Sequence, residues 1–382
     1  MILTNAHLIF PDGIRDGLEL VVEKGKITAI RERIQAHASE VLDLYGNYLA
    51  PGFIDLHVHG ARGRDTMEAS AEAFRAICDY HAGGGTTSLL LTTATAPMND
   101  ITDVLNTVRD YRGSIKQLVG VHVEGPFVSK AKCGAQRAEF IQNPSRASVQ
   151  RLLEHANLIK RITIAPELLG SLEAIENFHT HGISISGGHS DAWDEEAQEG
   201  FARGMRSVTH TFNCMSSARR RGIYRIGGLL EFALSEPQIS CELIADGHHV
   251  SETLMKMLYR AKGPSGICLV TDATAGAGLP NGSQFALFGR DCLVEDGVCL
   301  LSDRTALAGS ASRMIDLVRI MVIKVNVPLR EAVVMATENP ARAVGLERKG
   351  RLEVGADADL VVLSPELEVV RTFSGGEQIF SR

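Results

Sequence analysis

The chain has 382 residues, enough for one large domain with a smaller one beside it, or for two domains. Its hydrophobic content of 45% can fill a sizeable core, and its net charge of −7 argues against nucleic acid or a membrane surface as a partner. Seven scattered cysteines without a Cys-x-x-Cys pair, together with the absence of a signal-like or membrane-spanning segment, predict a cytoplasmic protein with reduced thiols.

The middle of the chain alternates short apolar runs with amphipathic stretches. We predict strands over residues 53–57, 86–91, 118–123, 162–165, 183–186, 207–210, 239–244 and 267–271. Helical segments are predicted between them, among others over residues 67–81, 101–111, 145–155, 192–203 and 251–260. Apolar strands separated by helices are typical of a parallel sheet covered on both faces. The pattern therefore predicts an α/β fold, a closed (β/α)₈ TIM-like barrel over residues 50–344. A doubly wound open sheet is the alternative, although no Gly-x-Gly-x-x-Gly follows the first strand.

The two ends of the chain have a different pattern. Near the N-terminus, apolar runs at residues 18–22 and 27–30 flank a Glu-Lys-Gly-Lys turn, which predicts a β-hairpin. Near the C-terminus, residues 358–363 and 367–370 also have strand character. We expect residues 1–49 and 345–382 to pack together as one small β-sandwich domain beside the barrel.

Two histidines, His57 and His59, close the first predicted strand. In an extended segment the i, i+2 spacing places both imidazoles on the same face. Neutral imidazole is a common ligand for zinc and other transition metals, so the pair could hold one ion. The alternative is that both are half-buried structural histidines.

Other residues with ligand chemistry follow later predicted strands: Glu124 the third, His189 the fifth, His210 the sixth and Asp272 the eighth. The carboxyl ends of barrel strands meet on one face, where such enzymes place their active sites. Histidines with carboxylates and without thiolates suit one or two ions of Zn²⁺, Fe²⁺ or Mn²⁺, and Glu124 could bridge two ions. Asp272 is then a candidate general base and acid, unless it only caps a helix or forms an Asx turn.

Several motifs resemble those of the amidohydrolase superfamily, and within it those of the N-acetylglucosamine-6-phosphate deacetylases and their N-acetylgalactosamine-6-phosphate relatives. They are the His-Val-His of residues 57–59, Glu-Gly-Pro at 124–126, Gly-His-Ser at 188–190, Thr-His-Thr-Phe-Asn at 209–213 and Leu-Ala-Gly-Ser at 307–310. The resemblance implies that Glu124, His189 and His210 bind the metal that activates water. His57 and His59 would then bind a second ion, with zinc as the first choice of metal, and Asp272 would be the catalytic residue.

The same resemblance implies how the substrate is bound. Its phosphate would be held by Arg221 and by His249, and a homodimer is implied because the family's histidine comes from the neighbouring subunit. The full set of implied substrate-binding residues is Gln136, Asn213, Cys214, Arg221, His249 and Ala308.

The chain departs from the family pattern in two places. Gly222 and Ile223 follow Arg221 where the family commonly has Glu-Pro, and Gln136 stands where members often carry a histidine. Both departures fall in loops predicted to contact the substrate.

We therefore predict a metal-dependent hydrolase that releases acetate from the acetamide of an N-acetyl amino-sugar 6-phosphate, with N-acetylglucosamine 6-phosphate as the first choice. One alternative is another amidohydrolase reaction, such as deacylation of an N-acyl amino acid or opening of a cyclic amide. A second is a catalytically inactive scaffold of the same fold, against which the complete set of candidate ligands argues.

Overall fold

Eight parallel strands form a barrel in the middle of the computed structural model, which describes residues 1–32 and 40–382. The strands are buried along nearly their whole length, as expected of a sheet covered by helices on its outer face. In order, the first to eighth barrel strands are Phe53–Val58, Thr86–Thr92, Leu118–Glu124, Ile159–Ile164, Ser184–Gly187, Met205–Val208, Ser240–Leu243 and Ile267–Leu269.

The barrel closes where its first strand meets the residues that follow its eighth. The eight strands are neighbours in sequence order, which a doubly wound sheet would not show. Val58 forms a parallel bridge with Ala273, and the Asp272 amide donates to the His57 carbonyl at 2.9 Å. The predicted (β/α)₈ fold is thus confirmed, and the doubly wound alternative is excluded.

The helix Ala71–Ala82 shows how the sequence sets the boundaries of these elements. The hydroxyl oxygen of Ser70 accepts from the Ala73 amide at 3.2 Å and begins the helix. Phe74 and Ile77 lie on the face that packs against the barrel, and three glycines follow the last residue. The α-helices of the described residues are Ala71–Ala82, Met98–Tyr111, Arg146–Leu153, Ser171–Thr180, Asp194–Ala202, Leu229–Ser235, Glu252–Lys262, Met314–Ile323, Leu329–Ala336 and Glu338–Ala343. Short 3₁₀ helices lie at Thr66–Glu68, Lys130–Lys132, Ala138–Phe140 and Pro264–Gly266.

A second sheet, of eight strands, is built from both ends of the chain, as predicted. The strand Val41–Pro51 continues past the expected boundary at residue 49, because Ala50 and Pro51 still pair with the C-terminal strand Leu360–Leu363. We propose residues 1–49 and 345–382 as the terminal domain and 50–344 as the barrel domain. The strands of the sheet are Ile2–Phe10, Gly13–Arg15, Leu18–Glu23, Lys26–Glu32, Val41–Pro51, Leu360–Leu363, Val369–Ser374 and Glu377–Ser381.

A four-stranded antiparallel sheet follows the eighth barrel strand, where the sequence analysis predicts no element. Leu287 and Cys292 belong to its own small apolar core. Phe288, at the turn after its first strand, contacts the ring of His59, with ring centroids 5.3 Å apart. Its strands are Gln284–Leu287, Arg290–Glu295, Val298–Leu301 and Leu307–Ser310, and two further hairpins pair Gly60–Ala61 with Arg64–Asp65 and Arg219–Arg221 with Tyr224–Ile226.

Among residues 1–32 and 40–382, no helix has both the length and the apolar character that a membrane span requires. All seven cysteines are free thiols.

Protonation of His81 should make the folded protein less stable in acid. This side chain is fully buried on the helix Ala71–Ala82, and burial lowers the pKa of His81 to about 4. The unfolded chain takes up this proton near pH 6.5 and the folded chain only near pH 4. The stability contribution is therefore complete above pH 6.5 and decreases on acidification to about pH 4, by roughly 3 kcal/mol.

The measurement is urea unfolding of the wild type and of His81→Leu at pH 7 and pH 5. We expect the variant to lose less stability between the two pH values. The exposed His179→Gln is the matched control and should follow the wild type. Equal losses in the wild type and His81→Leu would contradict the prediction.

Candidate metal centre

The candidate ligands lie where the barrel strands end. His57 is on the first strand, Glu124 is the last residue of the third, and His189, His210 and Asp272 lie just after the fifth, sixth and eighth. These last three residues have left-handed backbones, with φ of +46°, +31° and +48°. Non-glycine residues rarely adopt this conformation, and residues held in it cluster at functional sites. The backbone is thus turned sharply at these three strand ends.

One group of ligand atoms is formed by Glu124, His189 and His210. Oε1 of Glu124 lies 3.2 Å from Nε2 of His189 and 3.2 Å from Nε2 of His210. The two histidine Nε2 atoms are 3.1 Å apart. All three side chains are buried.

A second group shares Glu124 and adds His57 and His59. The two Nε2 atoms are 3.2 Å apart, and Nε2 of His59 lies 3.2 Å from Oε2 of Glu124. Oδ1 of Asp272 lies 3.5 Å from Nε2 of His57 and 3.4 Å from Nε2 of His59. The structure therefore brings the six predicted metal-binding and catalytic residues together, with Glu124 common to both groups.

The opposite ring nitrogens fix the tautomers of these histidines. Nδ1 of His59 lies 3.2 Å from the Thr92 carbonyl, and Nδ1 of His189 lies 2.8 Å from the Lys132 carbonyl. Nδ1 of His210 lies 3.2 Å from the carbonyl of Asn213. A carbonyl oxygen only accepts, so each Nδ1 carries the hydrogen and each neutral ring turns a lone pair on Nε2 towards Glu124.

These facing lone pairs require a cation between them. Burial opposes the charge of Glu124, but His57 and His189 hold the pKa of that carboxyl well below its usual range. Burial likewise opposes protonation of His57, but Glu124 and Asp272 raise the pKa of His57 well above its usual range. Protons or a metal ion can thus fill the centre, and metal binding would displace the protons.

The donor set fits a transition metal. Two nitrogens bound to tetrahedral zinc at 2.0–2.1 Å lie about 3.3 Å apart, close to the spacings within both groups. Histidine nitrogens with a carboxylate and no thiolate suit Zn²⁺, Fe²⁺ or Mn²⁺. The Nδ1 hydrogen bonds supply the outer contacts that metal-binding histidines usually have.

A cavity of about 250 Å³ opens over the metal-binding groups, and both groups contribute to its wall. Its apolar wall comes mainly from the four-stranded antiparallel sheet of residues 284–310, called the inserted sheet below. This sheet contributes Leu287, Phe288 and Leu307. Its lining residues are His59, Glu124, Gly134, Ala135, Gln136, His189, His210, Asn213, Cys214, His249, Asp272, Thr274, Leu287, Phe288, Ala306, Leu307 and Gly309.

Comparison with known proteins agrees with this geometry. The model of the amidohydrolase family matches residues 48–379. The N-acetylglucosamine-6-phosphate deacetylase of Lysinibacillus sphaericus is 34% identical over 380 residues, or 98% of this chain and 97% of that protein. The chain belongs to the amidohydrolase superfamily and, within it, to the N-acetylglucosamine-6-phosphate deacetylase family. The N-acetylgalactosamine-6-phosphate deacetylase of Escherichia coli O157:H7 is 31% identical and covers 98% of both chains. The crystal structure of N-acetylglucosamine-6-phosphate deacetylase from Pasteurella multocida is 33% identical, with a TM-score of 0.93 over 99% of this chain and 98% of that chain.

Four of the six predicted substrate residues of this amidohydrolase line the cavity: Gln136, Asn213, Cys214 and His249. The Gln136 amide is already engaged, since its Nε2 donates to Oε2 of Glu124 at 2.6 Å and its Oε1 accepts from the Thr95 amide at 2.7 Å. Gln136 thus orients the shared carboxylate of the metal centre.

His249 lines the cavity of its own chain, whereas the family resemblance implies that it reaches a neighbouring subunit. Asp246 explains this position, because its Oδ2 lies 2.7 Å from Nδ1 of His249 and its Oδ1 accepts from the His249 amide at 2.9 Å. Burial opposes protonation, but Asp246 raises the pKa of His249. The contact with Asp246 thus favours the protonated form of His249 at the cavity wall.

Arg221 and Ala308 do not line the cavity. Nη1 of Arg221 donates to Oε1 of Glu195 at 2.5 Å, and its guanidinium lies 4.0 Å from the ring centroid of Trp193. Ala308 is buried in the small core of the inserted sheet, while its neighbours Leu307 and Gly309 face the cavity, as strand alternation requires.

Sequence reasoning missed the apolar wall and the outer contacts of the ligands. Phe288 and Gly289 form the turn between two apolar runs. A glycine in such a turn is a hairpin signal present in the sequence. Glu242 lies within a predicted barrel strand and Arg161 within an observed one. A charged residue is unusual inside such a buried strand. Both side chains are fully buried below the metal centre.

Proposed function

We propose that this protein hydrolyses the acetamide of N-acetylglucosamine 6-phosphate, giving the amino-sugar phosphate and acetate. The observation that carries this proposal is the meeting of Glu124 with four histidines and Asp272 at the wall of one cavity. Family membership supplies the substrate class, because the relatives are named for this deacetylation.

The metal would be held by two sets of ligands. We propose that Glu124, His189 and His210 bind one ion, and that His57, His59 and Glu124 bind another, with zinc as the first choice. A divalent ion of this kind lowers the pKa of a water molecule towards 7 and polarises a carbonyl oxygen.

Asp272 would move the proton. Its carboxylate lies beside both imidazoles of the His57 and His59 pair and lines the cavity, so it can reach water and substrate together. It takes a proton from the attacking water as the oxygen bonds to the acetyl carbon. It then returns that proton to the nitrogen as the carbon–nitrogen bond breaks, so acetate and the free amine leave.

The sugar phosphate would lie at the side of the cavity lined by Asn213, Cys214 and His249. Protonated His249 would supply positive charge there. We propose Arg221 as a second phosphate ligand, which must leave Glu195 to reach the phosphate. Gln136 acts through Glu124, and Ala308 through the backbone on either side of it. We also propose a homodimer and a cytoplasmic location, the latter supported by the free cysteines.

The test is acetate release from purified protein of known metal content. The substrates are N-acetylglucosamine 6-phosphate, its galacto and manno epimers, and the unphosphorylated sugars. We expect bound metal and the fastest turnover with the gluco phosphate. An inactive scaffold would release no acetate even after reconstitution with Zn²⁺, and another amidohydrolase would bind metal but act on none of these sugars.

Replacing Arg221 with alanine should raise KM for the phosphorylated substrate by roughly 10- to 100-fold, because hydrogen bonds to charged groups contribute about 1.5–3 kcal/mol. The exposed Arg225→Ala, on the same hairpin, is the matched control and should leave KM unchanged. Initial rates with and without phosphate on the sugar would measure the effect. If both variants kept the wild-type KM, Arg221 would have no part in phosphate binding.

A further inference from the structure

A single buried carboxylate lies below the metal centre and contacts both metal-binding groups. Oε2 of Glu242 lies 3.3 Å from Nδ1 of His57, which belongs to the group with His59. The same oxygen accepts from the backbone amide of His210 at 3.2 Å, in the group with His189. Glu242 is fully buried and lies on the seventh barrel strand, between the two elements that it contacts.

Arg161 balances the charge of Glu242 from the opposite side. Nε of Arg161 lies 2.9 Å from Oε1 of Glu242, and its Nη2 donates to the hydroxyls of Ser207 at 2.7 Å and Ser186 at 3.2 Å. Oε1 thus faces the arginine, while Oε2 is left for the two metal-binding groups.

We propose that Glu242 is a positioning residue that holds His57 and the backbone of His210 together, so that the two groups bind their ions as one unit. This inference rests on the proposed metal-dependent function. His57 is the one of the four histidines whose Nδ1 contacts a carboxylate and not a carbonyl. A carboxylate raises the basicity of the histidine that donates to it, and loss of such a contact lowers metal affinity by about 10- to 100-fold.

The affected site follows from the type of contact. At His57, Glu242 contacts the ring that would bind the metal, so its loss frees the ring to rotate or change tautomer. At His210 it contacts only the backbone amide, while the ring stays bound to the Asn213 carbonyl. Loss of the carboxylate should therefore weaken mainly the ion bound by His57 and His59, and should end cooperative filling of the two sites.

The experiment titrates metal-free protein with Co²⁺ and follows its visible absorption, with total bound metal counted by elemental analysis. Glu242→Asp keeps the charge beside Arg161 but is one methylene too short to reach His57. The double variant Arg161→Met with Glu242→Gln removes the carboxylate without leaving a buried arginine unpaired. Ser207→Ala is the matched control, because it removes a hydrogen bond of Arg161 but retains the ion pair between Arg161 and Glu242.

The wild type should bind two ions cooperatively, and Ser207→Ala should do the same. Glu242→Asp and the double variant should bind the first ion with the wild-type spectrum and the second about 10- to 100-fold more weakly. Two ions bound to either Glu242 variant with wild-type affinity would overturn the inference, as would the same loss in Ser207→Ala. Absence of bound metal in the wild type would instead overturn the proposed function itself.

Discussion

Replacement of Asp272 with asparagine should lower kcat by about 10²- to 10⁴-fold, because a positioned general acid and base contributes that much to a reaction. The asparagine side chain cannot take a proton from water at neutral pH. It fits the same space, and asparagine tolerates the left-handed backbone, with φ of +48°, better than alanine does. Folding and bound metal should therefore be unchanged.

The measurement combines kcat for acetate release with elemental analysis of both proteins. Asp272→Ala is the companion variant, and it should lose both activity and some stability because of its backbone. If Asp272→Asn kept more than a tenth of the wild-type kcat with full metal, the proton would be carried by another group.

Replacement of Glu124 with glutamine should remove metal from both groups at once and lower activity by about 10³-fold or more. Glu124 contributes one oxygen to each group. Among the described residues, no other belongs to both of these groups. Glutamine carries no charge to offset two divalent ions. Metal catalysis is worth several kcal/mol, and each 1.36 kcal/mol is a factor of ten in rate.

Bound metal and acetate release would be measured after reconstitution with excess Zn²⁺. Glu167→Gln is the matched control: Glu167 is another carboxylate at a strand end, but it contacts the Ser190 hydroxyl and the Asp191 amide. It should keep its metal and most of its activity. Full metal content in Glu124→Gln would show that the groups do not depend on this carboxylate.

The barrel and its ligand-bearing strand ends were predictable from sequence because both depend on local patterns. Continuous apolar runs separated by helical stretches mark a covered parallel sheet, and the polar residues that follow them must share one face. The predicted sixth strand extends to His210, but the observed strand ends at Val208. The left-handed turn at His210 ends it, and no apolar pattern encodes such a turn.

The missed features depend on contacts between distant parts of the chain. Arg221 lies outside the cavity because Trp193 and Glu195, at the start of the helix Asp194–Ala202, hold it there. The apolar cavity wall comes from a sheet inserted after the last barrel strand, whose short runs have no helix between them. Glu242 lies in a predicted barrel strand, but its partner Arg161 is remote in sequence, so the ion pair between them was not predictable from the neighbours of Glu242.

The bridge that closes the barrel also brings the proposed metal ligands of the first strand next to the proposed general base that follows the eighth. His57 lies near the end of the first strand, His59 directly after it, and Asp272 after the eighth, beside the bridge between Val58 and Ala273. More than two hundred residues separate these side chains along the chain, so a chain whose barrel has not closed holds no complete reaction centre. Hydrolysis would thus require closure of the barrel, and activity would report that closure.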